Sequence, residues 1–124
     1  MTKRRIILEM GTGNDLYGED YTKAACRAVQ DALHHSSIVL FKSLGIDHRE
    51  MHVEVTIGAQ HPERVDIDIV SAELPRGHAE VSVVHGGLNV HDPDNATTHV
   101  IATAAIAAWL PIAPTQWRLS KNAE

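Results

Sequence analysis

Aromatic side chains are scarce in this sequence: two tryptophans, two tyrosines and one phenylalanine make up 4% of 124 residues. Hydrophobic residues still reach 44%, so a core must be built from Val, Ile, Leu and Ala. Cysteine is nearly absent. The single Cys26 cannot form an internal disulfide, and it falls within a predicted helix. Basic clusters are missing beyond Lys3-Arg4-Arg5, and the net charge is -5, which argues against nucleic acid as a partner. No apolar run approaches membrane-spanning length, and Lys3 to Arg5 precede a strand instead of a secretory apolar segment. No membrane partner is expected, and a cytoplasmic location follows. Internal repeats and low-complexity stretches are also lacking. The length predicts one domain over 1–124, small enough that oligomerisation would help to stabilise it.

The periodicity predicts an α+β domain with element order β-α-β-x-β-α. A first strand covers Arg5 to Met10, with Ile6, Ile7 and Leu8 as a short buried run. A helix follows from Glu19 to Phe41, where Tyr21, Ala25, Ala28, Val29, Ala32 and Leu33 recur at helical spacing. Gly45 stops it. In Met51 to Ala59, Val53, Val55 and Ile57 alternate with His52, Glu54 and Thr56, which predicts a second strand. Pro62 to Leu74 fits either a strand or a short helix ending before Pro75-Arg76-Gly77, and the helix is the reading adopted. A third strand spans His78 to His85. A last helix spans Ala96 to Leu110, stopped by Pro111.

That last segment has almost no polar face after Thr103. A helix apolar on all sides must be buried on all sides, which a small domain hardly achieves alone. Association of identical chains would cover it, as would the Pro111 to Trp117 tail folding back.

Two stretches concentrate polar chemistry. Between the first strand and helix, Gly11, Gly13 and Gly18 punctuate a turn that also carries Thr12, Asp15, Asp20, Thr22 and Lys23. Glycines there allow unusual backbone conformations or close approach of a ligand, and a plain loop capped by Glu19 or Asp20 is the simpler alternative. The third strand ends on His85, followed by Gly86, Gly87, Leu88 and Asn89. Alternation puts His85 on the inward face with Val81 and Val83, beside Gly-Gly amides suited to an oxyanion. A satisfied core histidine is the alternative.

Nine histidines invite a metal reading. His85, His91, Asp92 and Asp94 are candidate ligands, and His52 shares a strand face with Glu54. None of these matches HExxH or paired CxxC spacing, and no metal or other cofactor is predicted. His34, His35 and His48 read as surface residues, and His61 and His99 as helix-flanking ones. Ser-His-Asp catalysis lacks its elbow, because G-x-S-x-G does not occur.

The pattern Met-Gly-Thr-Gly-x-Asp-x-x-Gly-x-Asp-x-Thr-Lys-Ala-Ala-x-Arg-Ala-Val over Met10 to Val29 resembles a family of short, uncharacterised bacterial proteins. Leu-Pro-x-Gly at Leu74 to Gly77 and His-Gly-Gly-Leu at His85 to Leu88 belong to the same likeness. More distantly, Thr12 to Asp15 with Asp20 to Lys23 is similar to a turn in each repeat of the cyclic amide hydrolases. This is the cyanuric acid hydrolase and barbiturase group, which has three similar domains around a central β-barrel. One chain here matches about one such repeat, so the resemblance implies a homotrimer, or a multiple of trimers, around a shared barrel. The family's catalytic lysine falls on Gly11, its serine falls near His85, and Lys23 stands where the family has arginine.

Two functions follow as expectations. One is ring-opening hydrolysis of a cyclic amide or imide. There His85 acts as base or nucleophile, Lys23 with the Gly86 and Gly87 amides stabilises an oxyanion, and Glu9 or Asp15 orients a partner. The other is a non-catalytic trimeric protein that binds a small molecule through Gly11, Thr12, Gly13, Asp15, Asp20, Gly86, Gly87 and Asn89. Convergence of Lys23 and His85 in one cleft separates the two.

Overall fold

Strict alternation of burial along the final apolar segment organises the fold. Val100, Ala102, Ala104, Ile106, Ala108 and Leu110 are buried, whereas Ile101, Thr103, Ala105, Ala107 and Trp109 between them are half-buried or exposed. In the computed structural model, which describes residues 2–34, 51–74 and 78–112, this segment is a strand. The expected Ala96 to Leu110 helix is thereby corrected. Alanine favours helix intrinsically, but hydrogen bonding to strands on both sides overrides that preference.

The elements are β1 (Thr2–Asp15), α1 (Tyr21–His34), β2 (His52–Ala59), a 3-10 turn (Pro62–Arg64), α2 (Ile67–Ser71), β3 (His78–His85), β4 (Leu88–Asp92) and β5 (Thr97–Ile112). The expected order therefore becomes β-α-β-α-β-β-β within an α+β class. The sheet runs β1-β5-β2-β3, with β2 and β3 parallel and the other pairs antiparallel. β4 pairs with Thr97 to Ile101 of β5, forming a hairpin that the sequence reading missed. Its turn holds Asp92, Asp94 and Asn95, with Asp92 accepting the backbone N–H of Asp94 at 3.0 Å.

β1 is longer than expected and continues through Gly11 and Gly13 to Asp15. These two glycines belong to the strand, because α1 lies directly on it. A Cβ on Gly11 would collide with the backbone of Ala28 and Ala32, and one on Gly13 with Ala24 and Ala28. Ala24, Ala28 and Ala32 repeat every fourth residue and are fully buried. Small residues on both elements bring the helix axis close to the strand.

The core fills the space between this helix and one face of the sheet. Val29 of α1 and Val70 of α2 pack against Val55, Ile57, Val100 and Leu110. Leu8, expected in that core, is 45% exposed. α1 begins one residue after Asp20, whose carboxylate accepts the Lys23 N–H at 3.0 Å as a cap. Glu19, expected to start the helix, takes φ 50° instead. The expected helical extension to Phe41, the Gly45 stop, His35, His48, Pro75 to Gly77 and the tail after Pro111 fall wholly or partly outside the described residues. Among those described, no helix is long and apolar enough to cross a membrane.

Candidate functional site

The sheet has a second face, opposite α1. On it, in-register pairing builds two rows across three strands: Thr12, Thr103 and Gly58, then Met10, Ala105 and Thr56. These rows floor an open hollow of about 580 Å³, with Val84, His85, Gly86 and Asp31 also in its lining. Gly58 deepens the hollow for a steric reason. A Cβ there would stand 2.6 Å from Thr103 Oγ1 and 3.4 Å from the Gly86 Cα. Thr12, Thr56 and Thr103 are exposed on this face, so their hydroxyls are available both to donate and to accept. Asp31 of α1 reaches β1 and accepts the Thr12 N–H at 2.9 Å, covering part of the strand edge.

Met10 and Val84 line the hollow, and Leu88 and Val90 of β4 lie on the same sheet face. Met10 is 68% exposed, Leu88 55% and Val84 49%, and Val90 is also uncovered. Large apolar groups grouped on one solvent-facing sheet surface are unusual for a surface that stays solvated.

The expected site residues divide among three places. Thr12, His85 and Gly86 border the hollow, as does the backbone of Gly11. His85 has the same strand parity as Val81 and Val83 but is exposed, as the last residue of β3. The Gly86 N–H donates to the Ala59 carbonyl at 3.0 Å and is already engaged within the fold. Gly87 needs its glycine, with φ +63° and Ile101 and Gly58 carbonyls crowding its Cβ position. Gln60 Nε2 donates to the carbonyls of Gly86 and Gly87 at 2.9 and 3.3 Å and fixes this turn.

A second group holds the entry to α1. Asp15, buried at 7% exposure, accepts the Asp20 N–H at 2.8 Å and lies 3.8 Å from Arg27 Nη1. Gly18 is glycine because a Cβ would press to 2.6 Å from the Asp15 carboxylate. Asn89 donates from Nδ2 to the Tyr21 hydroxyl at 2.6 Å and ties β4 to the start of α1. Tyr21 in turn carries the Arg64 guanidinium 4.7 Å above its ring. Glu9 lies half-buried on the α1 side of β1, away from the threonine rows.

The third place is a cleft between α1 and α2, where Lys23 lies among Asp20, Arg27, Asp66 and Glu73. Cys26 opens onto it, and burial, reinforced by Glu73 and Asp20, pushes its thiol pKa up. Lys23 and His85 thus line different hollows within one chain. Of the proposed metal ligands, Asp92 is held by its own turn. Asn95 Nδ2 donates to it at 2.8 Å, and His99 Nε2 stands 3.8 Å away. That bonding, led by Asn95, sets its carboxyl below the usual aspartate range.

Thr56, Gly58 and Thr103 were not among the expected site residues. Reading Ala96 to Leu110 as a strand would have placed Thr103 on the face opposite Ala102 and Ala104, beside the alternating Thr56.

Residues 5–108 match a family described as conserved hypothetical protein (Lin0512_fam), and the chain belongs to that family. The fold is similar to the crystal structure of an FtsZ-like protein of unknown function from Nostoc punctiforme PCC 73102. The two share 33% identity, with a TM-score of 0.78, over 90% of this chain and 99% of that one. No curated protein matches. The family match agrees with the uncharacterised family read from Met10 to Val29. The cyclic amide hydrolase likeness gains no support from these matches.

Proposed function

We propose that this family member is a non-catalytic subunit of a homotrimer, or of a multiple of trimers, that binds a small uncharged polar molecule. The binding place is the hollow on the open sheet face, and the observation that carries this reading is its make-up. Three threonine hydroxyls offer neutral donors and acceptors beside Met10, Val84, Ala104 and Ala105, with Asp31 and His85 at the margin. Sites of this composition suit ligands that are flat and polar at the edge, such as cyclic amides and imides. Turning the open faces inward around a shared axis would cover Met10, Val84 and Leu88 and close the hollow from above. Ring-opening chemistry is outside this reading, since Lys23 and His85 do not share a hollow within a chain.

Calorimetric titration of the full chain with cyanuric acid, barbituric acid and simple cyclic imides tests it. Binding of at least one of these, weakened about 2–10-fold in Thr103→Val, is the expected result. Loss of the ring-amide absorbance in any of these mixtures would restore the enzyme reading. Absence of heat across the panel, or unchanged affinity in the variant, would remove the hollow as the binding place.

A further inference from the structure

Among the His-x-Glu segments of the sequence, His52-Val53-Glu54 and His78-Ala79-Glu80 fall on two neighbouring strands, β2 and β3. Parallel pairing of β2 with β3 sets the two copies in register, with His52 beside His78 and Glu54 beside Glu80. Two carboxylates on adjacent strand positions of one face repel each other. A sheet that keeps them there gains from a cation between them.

The geometry fits one. His52 Nε2 stands 3.6 Å from Glu54 Oε1 and 3.8 Å from Glu80 Oε2, and the three donor atoms all lie within 4.8 Å of one another. Those distances exceed hydrogen-bonding range, so His52 does not bridge the carboxylates by ordinary donation. They are close to ~3.4 Å, the donor–donor spacing that follows from ~2.1 Å bonds in a tetrahedral shell. Among the described residues no other three His, Cys, Asp or Glu side chains gather this way.

We propose that His52, Glu54 and Glu80 hold a divalent first-row transition-metal ion, with water completing its shell. One imidazole nitrogen and two carboxylate oxygens suit Zn²⁺, Mn²⁺, Fe²⁺ or Co²⁺, whereas the imidazole disfavours Ca²⁺ and Mg²⁺. Two carboxylates balance the charge of the ion. The His52 side chain is 21% exposed against 52% for Glu54 and 76% for Glu80, so the shell is anchored on one side and open to water on the other. None of the three lines the threonine hollow, so this site stands independently of the proposed ligand.

The test uses the full chain stripped with EDTA and titrated with Zn²⁺ by calorimetry, and with Co²⁺ by visible absorption. Trp109 is the cross-strand neighbour of His52 and reports Co²⁺ by fluorescence quenching, read in a Trp117→Phe background. One Zn²⁺ per chain is expected, with a raised melting temperature and an affinity at least ~10-fold lower in both His52→Ala and Glu80→Gln. Glu80 is well exposed, so its variant keeps the fold and separates lost ligation from lost structure. Failure of wild type to bind Zn²⁺ overturns the proposal. So does equal binding by Glu80→Gln, which would assign the metal to other histidines. A Glu80→Gln chain that is more stable without metal and unchanged in Zn²⁺ affinity would leave only a repelling pair.

Discussion

Gly13 of β1 lies against Ala28 of α1 so closely that a single methyl group at Gly13 would meet the helix backbone. Backbone cannot move aside as a flexible side chain can. Gly13→Ala is therefore expected to push α1 off the sheet and destabilise the chain by about 1–3 kcal/mol or more, as overpacking does. Urea denaturation checks it. A variant as stable as wild type would mean that the helix sits further from the strand.

The turn before α1 separates two aspartates that look alike in sequence. Asp15 is buried and accepts the Asp20 N–H, with Arg27 beside it, whereas Asp20 is an exposed cap. Asp15→Ala removes the buried carboxylate that accepts the Asp20 N–H and faces Arg27, and is expected to cost about 1–3 kcal/mol. Asp20→Asn is expected to change stability only slightly, since asparagine caps about as well as aspartate. Thermal melts of the two variants side by side give the comparison. A larger loss in Asp20→Asn would give the organising role to Asp20.

Much of the fold was legible where alternation was clean. Val53, Val55 and Ile57 against Glu54 and Thr56 gave β2 within a residue of its bounds, and β3 was read in full. The final segment was misread because alanine fills both faces of β5. With Ala102, Ala104, Ala105, Ala107 and Ala108 all apolar, a period of two disappears from the sequence although burial keeps it. That error also hid the open face and its threonines. Gly11 and Gly13 were read as a ligand turn because a sequence does not reveal that a helix will lie on them. His85 fell on the expected strand parity, yet at the last position of β3 it is exposed, which parity alone does not reveal.

Acid should act on the β4–β5 turn in a defined direction. Asp92 is held below the ordinary aspartate range chiefly by Asn95, then by the N–H groups of Asp94 and Asn95 and by His99. A depressed folded pKa means that the turn's contribution is present above the ordinary value near ~3.9 and is lost as pH falls through the folded one. Asn95→Ala removes the leading cause, so an NMR titration of the Asp92 carboxyl carbon is expected to move upward in the variant. An unmoved titration would show that Asn95 does not hold the carboxylate in solution.

The open sheet face is the centre of the functional reading, and molar mass in solution tests it most directly. Sedimentation equilibrium of the full chain is expected to give three times the 13.6 kDa chain mass, or a multiple of that. Met10→Glu puts a charge on the exposed apolar face and is expected to shift the population toward monomer while circular dichroism stays unchanged. A wild-type chain that sediments as a monomer at micromolar concentration, or a Met10→Glu variant that keeps the wild-type mass, would contradict an assembly built on that face.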